Sequence, residues 1–517
     1  MRGSRVRRVA VLIGAKRDSG TIRTMDAGAR DLTRGAIAPT LFVFALPIMA
    51  GNVLQSLNGS VNAVWVGRFL GEQALGATAN ANNIMFFLIG AVFGVGMAAT
   101  ILVAQAVGAH NLEQARRVIG TSATFFLCVS IVIALAGMPL SRAILAWMDT
   151  PGEVLPLAEA YLRIIFMAVP FLYMFAFLSA VLRGAGDTRT PFLFLLLAVA
   201  LDIGLNPLLI FGIGPFPRMD VAGSAMATFV ANGLALAGLV FWLRHRRHPL
   251  WIGRAERGYY RPDAVIVRAL IFKGVPMGLQ MVVISLAMIM MISMVNRYGV
   301  DMTAAYGAAL QLWTYVQMPA MAVGAACSSM AAQNVGAGRW DRVEATTRTG
   351  VLFNFLLTGA LIVPIVLFDR DTLALFLPAA SAALENARHL NHIAVWSFLF
   401  FGVTFVVSGV VRSTGAVVPP LLILGVALWG IRIPFARLLQ PGLGADAIWW
   451  SFPVSAVSAM LMSLAYYRWG RWRQARMLPA DPREVASPAG VPAQPPSRVA
   501  ELAPEPGQPP GAAGDQG

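Results

Sequence analysis

The sequence predicts an all-α polytopic membrane protein, with twelve transmembrane helices in two six-helix lobes related by a parallel internal repeat. Three observations carry that reading. Of the 517 residues 57% are hydrophobic and only 13% charged, with a mean hydropathy of +0.67, more apolar surface than a water-soluble domain can bury. Apolar stretches long enough to span a bilayer, about 20 residues each, recur between short polar or Gly/Pro-bearing links. The chain also aligns with itself at an offset of 229 residues, laying Pro47 on Pro276 and Arg68 on Arg297.

Taken in chain order, the elements divide as follows. Residues 1–36 form a basic leading segment. In it VAVLIG (Val9 to Gly14) is too short for the apolar region of a signal peptide, and Met25 is an alternative start. The N-lobe, 37–244, holds span cores near 41–66, 76–106, 118–138, 159–182, 191–212 and 221–243. A link at 245–268 precedes the C-lobe, 269–469, with cores near 270–296, 304–335, 347–368, 390–411, 419–439 and 446–467. The segment 470–517 is rich in Pro, Ala and Gly and reads as a disordered tail.

The net charge of +15 does not point to nucleic acid, because the Lys and Arg mark topology and form no basic domain with interleaved aromatics. Arg5, Arg7, Arg8, Lys16, Arg17, Arg30 and Arg34 precede the first span, and Arg244, Arg246, Arg247, Arg254, Arg257, Arg261 and Arg268 fill the link. With twelve alternating spans both groups fall on one side together with Arg468, Arg471, Arg473 and Arg476, which places both termini in the cytoplasm of a cell inner (plasma) membrane protein. Cys128 and Cys327 lie far apart in different spans, so neither a disulfide nor a metal site is indicated.

The repeat extends beyond isolated residues. With one residue of slippage, Gln105 and Gly108 of VAQAVGAHNLEQA fall on Gln333 and Gly336. VLRGAGDTRTP then lies on VVRSTGAVVPP, pairing Arg183 with Arg412, Gly186 with Gly415 and Pro191 with Pro420. Six spans per half make the repeat parallel, a transporter pattern in which sites lie near midplane and access alternates by rocking or bending around them.

The P-x-x-x-G-N pattern of the first span running into SVNAVWVGRFLG, the AQAVGAHNLEQARR link, VLRGAGDTRTP, and LDIGLNPLLIFG followed by VAGSAMATFVAN resemble the multidrug and toxic compound extrusion (MATE) family over Gly35 to Arg468. The resemblance implies twelve helices in two lobes and export of organic, often cationic compounds against an inward proton or sodium flow. It also implies a first helix that bends at the proline matching Pro47 when a nearby acidic network is protonated. This chain departs from the family pattern in three places. Asn62 stands where relatives often carry Asp. Asp202 and Asn206 stand where they often carry Asn then Asp. The C-lobe acids linked to cation coupling in other relatives are replaced near Ile284 or Ser285 and at Phe401.

The polar residues inside the spans supply the candidate chemistry. Asn52, Gln55, Asn58 and Asn62 recur at three- and four-residue steps, a single amide stripe on the first span. Asp202 and Asn206 share a face of span five, as do Thr228 and Asn232 of span six. A charged Asp at the bilayer centre costs on the order of 3 kcal/mol, so its retention calls for a role such as exchanging a proton as its surroundings alternate between dry and wet. The amides taken alone are more simply interhelical packing groups. Asp202, Asn206, Asn62 and Thr228 are therefore the candidate coupling group, and Pro47, which removes a backbone donor, is the candidate bend. Gln55, Asn58, Asn232, Gln280 and Trp313 are candidates for the substrate cavity, with Phe86, Phe87 and Tyr315 beside them. Arg432, a cation within span eleven, is expected to snorkel or to bind carbonyls of a broken helix.

The expected function is secondary antiport of organic cations or drugs by a monomer in contact with membrane lipid. A proton is favoured over sodium, because one mid-span acid compensates a sodium ion poorly. The alternative is a flippase for lipid-linked precursors. No catalytic motif, P-loop or cofactor signature is present in the sequence, so an enzyme is not expected.

Overall fold

The computed structural model describes residues 30–378 and 380–479, without the side chains at 83, 86, 87, 89 and 91. The leading residues up to 29, with the alternative start at Met25, and the part of the 470–517 tail from 480 lie outside the described residues, as do the Phe86 and Phe87 side chains; residues 470–479 are described, and there Trp472 is buried, stacked on Tyr467. Among the described residues every regular element is helical.

Six long helices make the first half: α1 (Ile37–Leu70), α2 (Glu72–Gly108), α3 (Leu112–Trp147), α4 (Leu155–Gly184), α5 (Arg189–Phe211) and α6 (Asp220–His245). The second half begins with α7 (Ala264–Val295), more than a turn earlier than the expected lobe start at 269, and continues through α8 (Val300–Gly336) and α9 (Trp340–Leu367). The short α10 (Asp369–Ala374) then leads into α11 (Ala382–Ala394) and α12 (Ser397–Arg412), which together make one span bent by 46°. The next span is also interrupted. α13 (Val418–Gly425) passes through a π-helical turn, Val426–Arg432, into α14 (Ile433–Leu443), and α15 (Asp446–Trp469) completes the set. Among the described residues nine helices are long and apolar enough to cross a membrane, and the bent pair makes a tenth. The long α2 and α8 run between them and bring the passages across the membrane to twelve.

Two close approaches join the halves. α2 meets α7 backbone to backbone: a Cβ at Gly94 would run into Gly278 and Gly274, and one at Gly274 would lie 2.7 Å from the Cα of Val95. At the end of the bundle that carries both described chain ends, α2 meets α8 in the same way. There a Cβ at Gly108 would run into the backbone of Gln333, and one at Gly336 into that of Gln105. The segment before α1 also straddles the halves. The amide of Arg30 donates to the Gly186 carbonyl (3.1 Å) and that of Leu32 to Gln333 Oε1 (3.2 Å), while the Arg339 guanidinium donates to the Thr33 carbonyl (2.8 Å).

Candidate functional site

α5 presents Asp202 and Asn206 on one face, and both are buried, at 2% and 0% exposure. Small residues bring α6 against that face. A Cβ at Gly223 would sit 2.6 Å from the Leu209 carbonyl, and Ala225, Ala227 and Ala231 are fully buried, the close packing that small residues permit between membrane helices. Thr228 is thereby carried to the carboxyl group, and its hydroxyl lies 3.0 Å from Asp202 Oδ1. α1 closes the other side, where Asn58 and Asn62 both donate side-chain N–H to Asp202 Oδ2, at 2.9 and 2.8 Å. Asn206 completes the ring by donating to Asn62 Oδ1 (2.9 Å) and to the backbone carbonyl of Asp202 (2.8 Å).

One carboxyl group thus ties three helices together through three donors, the arrangement of an ionised, acceptor-only side chain. Hydrogen bonds to a charged group are worth roughly 1.5–3 kcal/mol each, so three offset the about 3 kcal/mol of placing the charge in the bilayer. The cluster is not saturated. Asn58 Oδ1 and Asn206 Oδ1 are buried with no partner among the described residues, and the Thr228 hydroxyl has a second acceptor in the Ser224 carbonyl at 3.3 Å. α1 itself runs unbroken from Ile37 to Leu70 through Pro47, whose missing N–H leaves the Val43 carbonyl without its helical partner.

The other candidates stand elsewhere. Asn232 donates to the Thr228 carbonyl (2.8 Å), one turn along α6. Gln55 is exposed on α1. Gln280 is buried in α7, where its Oε1 accepts from Arg412 at 2.8 Å, and Trp313 lies in the C-lobe core with its indole N–H on Asn391 Oδ1 at 2.9 Å. Neither is beside Asp202.

Among the described residues Arg432 makes no hydrogen bond to a helix carbonyl, unlike the expectation for a broken helix. It closes the π-turn, donates from Nε to Ser455 Oγ of α15 (2.8 Å) and lies over the Phe452 ring, 4.4 Å from its centroid. The cross-lobe contacts of two glutamines were also missed. Gln105 Nε2 donates to the Ser413 carbonyl (2.6 Å) and Gln333 Nε2 to the Gly184 carbonyl (2.8 Å). The signal was available in the repeat, which pairs Gln105 with Gln333 at an offset of 228 and Gly184 with Ser413 at 229.

The MatE family model matches the chain twice, over residues 47–208 and 276–438, blocks that begin at the same offset as the internal repeat. A probable multidrug resistance protein of Bacillus subtilis, YoeA, is 36% identical over 431 residues, covering 83% of this chain and 93% of its own. A second from the same organism, YpnP, is 34% identical over 450 residues, covering 87% and 99%. A crystal structure of MATE in the bent conformation superposes with a TM-score of 0.77 at 21% identity, covering 86% of this chain and 96% of that one.

Proposed function

The chain belongs to the MatE family, and on that premise we propose that it is a secondary antiporter that exports organic cations and drugs in exchange for protons taken up at Asp202. The observation that carries the reading is the Asp202 carboxyl group, held between α1, α5 and α6 by Asn58, Asn62 and Thr228. The two carboxyl oxygens answer protonation differently. At Oδ1 the Thr228 hydroxyl turns to donate to Ser224 and accepts the new proton, so the cluster survives. At Oδ2 the proton meets two amide donors that cannot accept it, so both α1 bonds to the carboxyl group are lost unless an amide turns over, and the Asn206–Asn62 bond is left as the α1–α5 tie. The partnerless Asn58 Oδ1 is the acceptor such a turn would supply. Protonation at Oδ2 without that turn therefore loosens α1, whose backbone is already one hydrogen bond short at Pro47.

The same reading places the protein in the plasma membrane as a monomer, with the end carrying Gln105, Gln333 and the segment before α1 in the cytoplasm, supported by the basic residues at that end. Relatives named as multidrug resistance proteins support drugs as the cargo. The test is reconstitution into vesicles with imposed gradients and a fluorescent organic cation. A pH gradient without sodium should drive accumulation, and Asp202→Asn, which keeps the shape and one acceptor oxygen but not the exchangeable proton, should abolish it at equal protein content. Accumulation driven by sodium and not by a matched pH gradient would remove the proton assignment.

A further inference from the structure

The two halves are not electrostatic copies. In the first, Asp202 of α5 accepts a hydrogen bond from the hydroxyl of Thr228 in the next helix. In the second, Arg432 of the span α13–α14 donates to the hydroxyl of Ser455 in the next helix, α15. At the repeat offset Arg432 aligns with Ile203, the neighbour of Asp202. Matching places in the two lobes therefore hold opposite charges.

Among the described residues no carboxylate pairs with Arg432. A guanidinium carries five N–H donors, and among the described residues only the Nε of Arg432 has a hydrogen-bond partner. The carboxylates of the C-lobe lie at helix ends, and the buried one, Asp369, already takes Arg388 at 2.8 Å and His392 at 3.2 Å. One face of the guanidinium rests on Phe452, and Tyr306 packs on the same ring with centroids 6.4 Å apart. The buried arginine of α12 behaves differently: Arg412 is 4% exposed and bonded to Gln280, whereas Arg432 is only partly covered. The π-turn that ends at Arg432 inserts an extra residue into the helical turn, a distortion frequent at functional sites, where it re-aims a side chain. Its terminal N–H groups are a fork of the geometry that matches an oxyanion bidentately.

Building on the transport reading above, we infer that Arg432 is an oxyanion-recognition residue of the C-lobe, taking a carboxylate or phosphate group carried by the exported compound. Cargo then includes zwitterions, with the cationic end directed toward the acidic N-lobe cluster. Phe452 and Tyr306 give such a compound a flat apolar wall beside the charge.

The probes are a quinolone bearing both an amine and a carboxylate, and its methyl ester, which keeps the ring and the cation. Uptake of each into phosphatidylcholine vesicles, which offer no net anionic headgroup to compete, is measured under one pH gradient for the parent, Arg432→Gln and Arg432→Lys. The expected result is an uptake of the carboxylate form about tenfold lower in Arg432→Gln, a smaller loss in Arg432→Lys, and ester uptake within about twofold of the parent in all three. Continued ester transport shows that the variant is folded. Quenching of Trp449, which packs on Tyr306 at 5.8 Å, should report weaker carboxylate binding in the same order. Equal losses for both forms, or no loss for the carboxylate, would overturn the inference. A parent that carries neither form would instead remove the drug-export reading.

Discussion

Gln105 and Gln333 make the same hydrogen bond in opposite directions: each crosses from its own half to a backbone carbonyl of the other, Ser413 and Gly184 respectively, at 2.6 and 2.8 Å. Gly108 and Gly336, one turn on, let the two helices touch without side chains between them. Replacing both glutamines with Ala should loosen this end. In a Cys128→Ala background, Ser413→Cys, fully buried in the parent structure, should react several-fold faster with a maleimide when both glutamines are absent. Gly108→Ala should keep the ends from meeting and abolish transport at normal expression. Unchanged labelling would mean that the glutamine bonds do not hold the ends closed.

Among the described partners of Asp202, Thr228 is the one whose bonding atom can both donate and accept without the group turning over. Thr228→Val should weaken retention of the ionised carboxyl by roughly 1.5–3 kcal/mol and cut proton-driven efflux at least tenfold, while Thr228→Ser should restore most of it. Initial rates at matched protein content check this, and a Val variant as active as the parent would remove Thr228 from the coupling group.

Pro47→Ala restores the missing donor in the middle of α1. Turnover should fall while the affinity for a fluorescent cation, measured by equilibrium binding, changes less than about threefold. Loss of binding with unchanged turnover would make α1 a contact surface in place of a moving part.

A pH-dependent stability arises outside the spans. His248 in the link is 1% exposed; its Nδ1 accepts from the Leu250 amide (3.3 Å), and its Nε2 has no partner among the described residues. Burial holds this imidazole below the ordinary histidine value of 6.5, against an opposing pull from Asp187. The unfolded ring therefore binds a proton before the folded one does. Stability is fully present above about pH 6.5 and is lost as pH falls toward the folded value. The apparent melting temperature in detergent should drop between pH 7 and pH 5 in the parent and drop less in His248→Asn, which keeps an acceptor for Leu250. Parallel curves would show that the acid sensitivity resides elsewhere.

What the sequence made legible follows the range of each signal. Helical periodicity is local, so the face shared by Asp202 and Asn206 and the amide stripe of α1 could be read directly from spacing. The repeat is long-range but periodic, so it paired Gln105 with Gln333 without showing that each bonds across to the opposite half. Contacts between non-equivalent helices left no such trace. Gln280 carries no sign of Arg412, 132 residues away, and Trp313 none of Asn391. The bend between α11 and α12 and the π-turn before α14 were hidden for another reason. The bend falls where the polar, amphipathic α11 meets the apolar α12, and the π-turn lies in the apolar run that leads to Arg432; hydropathy reports composition while being blind to the backbone path.

The contact of Gly94 with Gly274 and Gly278 sets a mechanical ratio. Backbones that meet without intervening side chains can roll on each other but cannot be compressed, so this crossing acts as a fulcrum. Gly108 lies about fourteen residues further along α2, a lever arm of about 21 Å at 1.5 Å per residue. A rock of about 15° at the crossing, an ordinary amplitude for rigid-body rotation, moves the far end by about 5 Å. Under the proposed alternating access, a displacement of that size would separate both glutamines from their carbonyls in a single stroke, and the two bonds would open and close as one event.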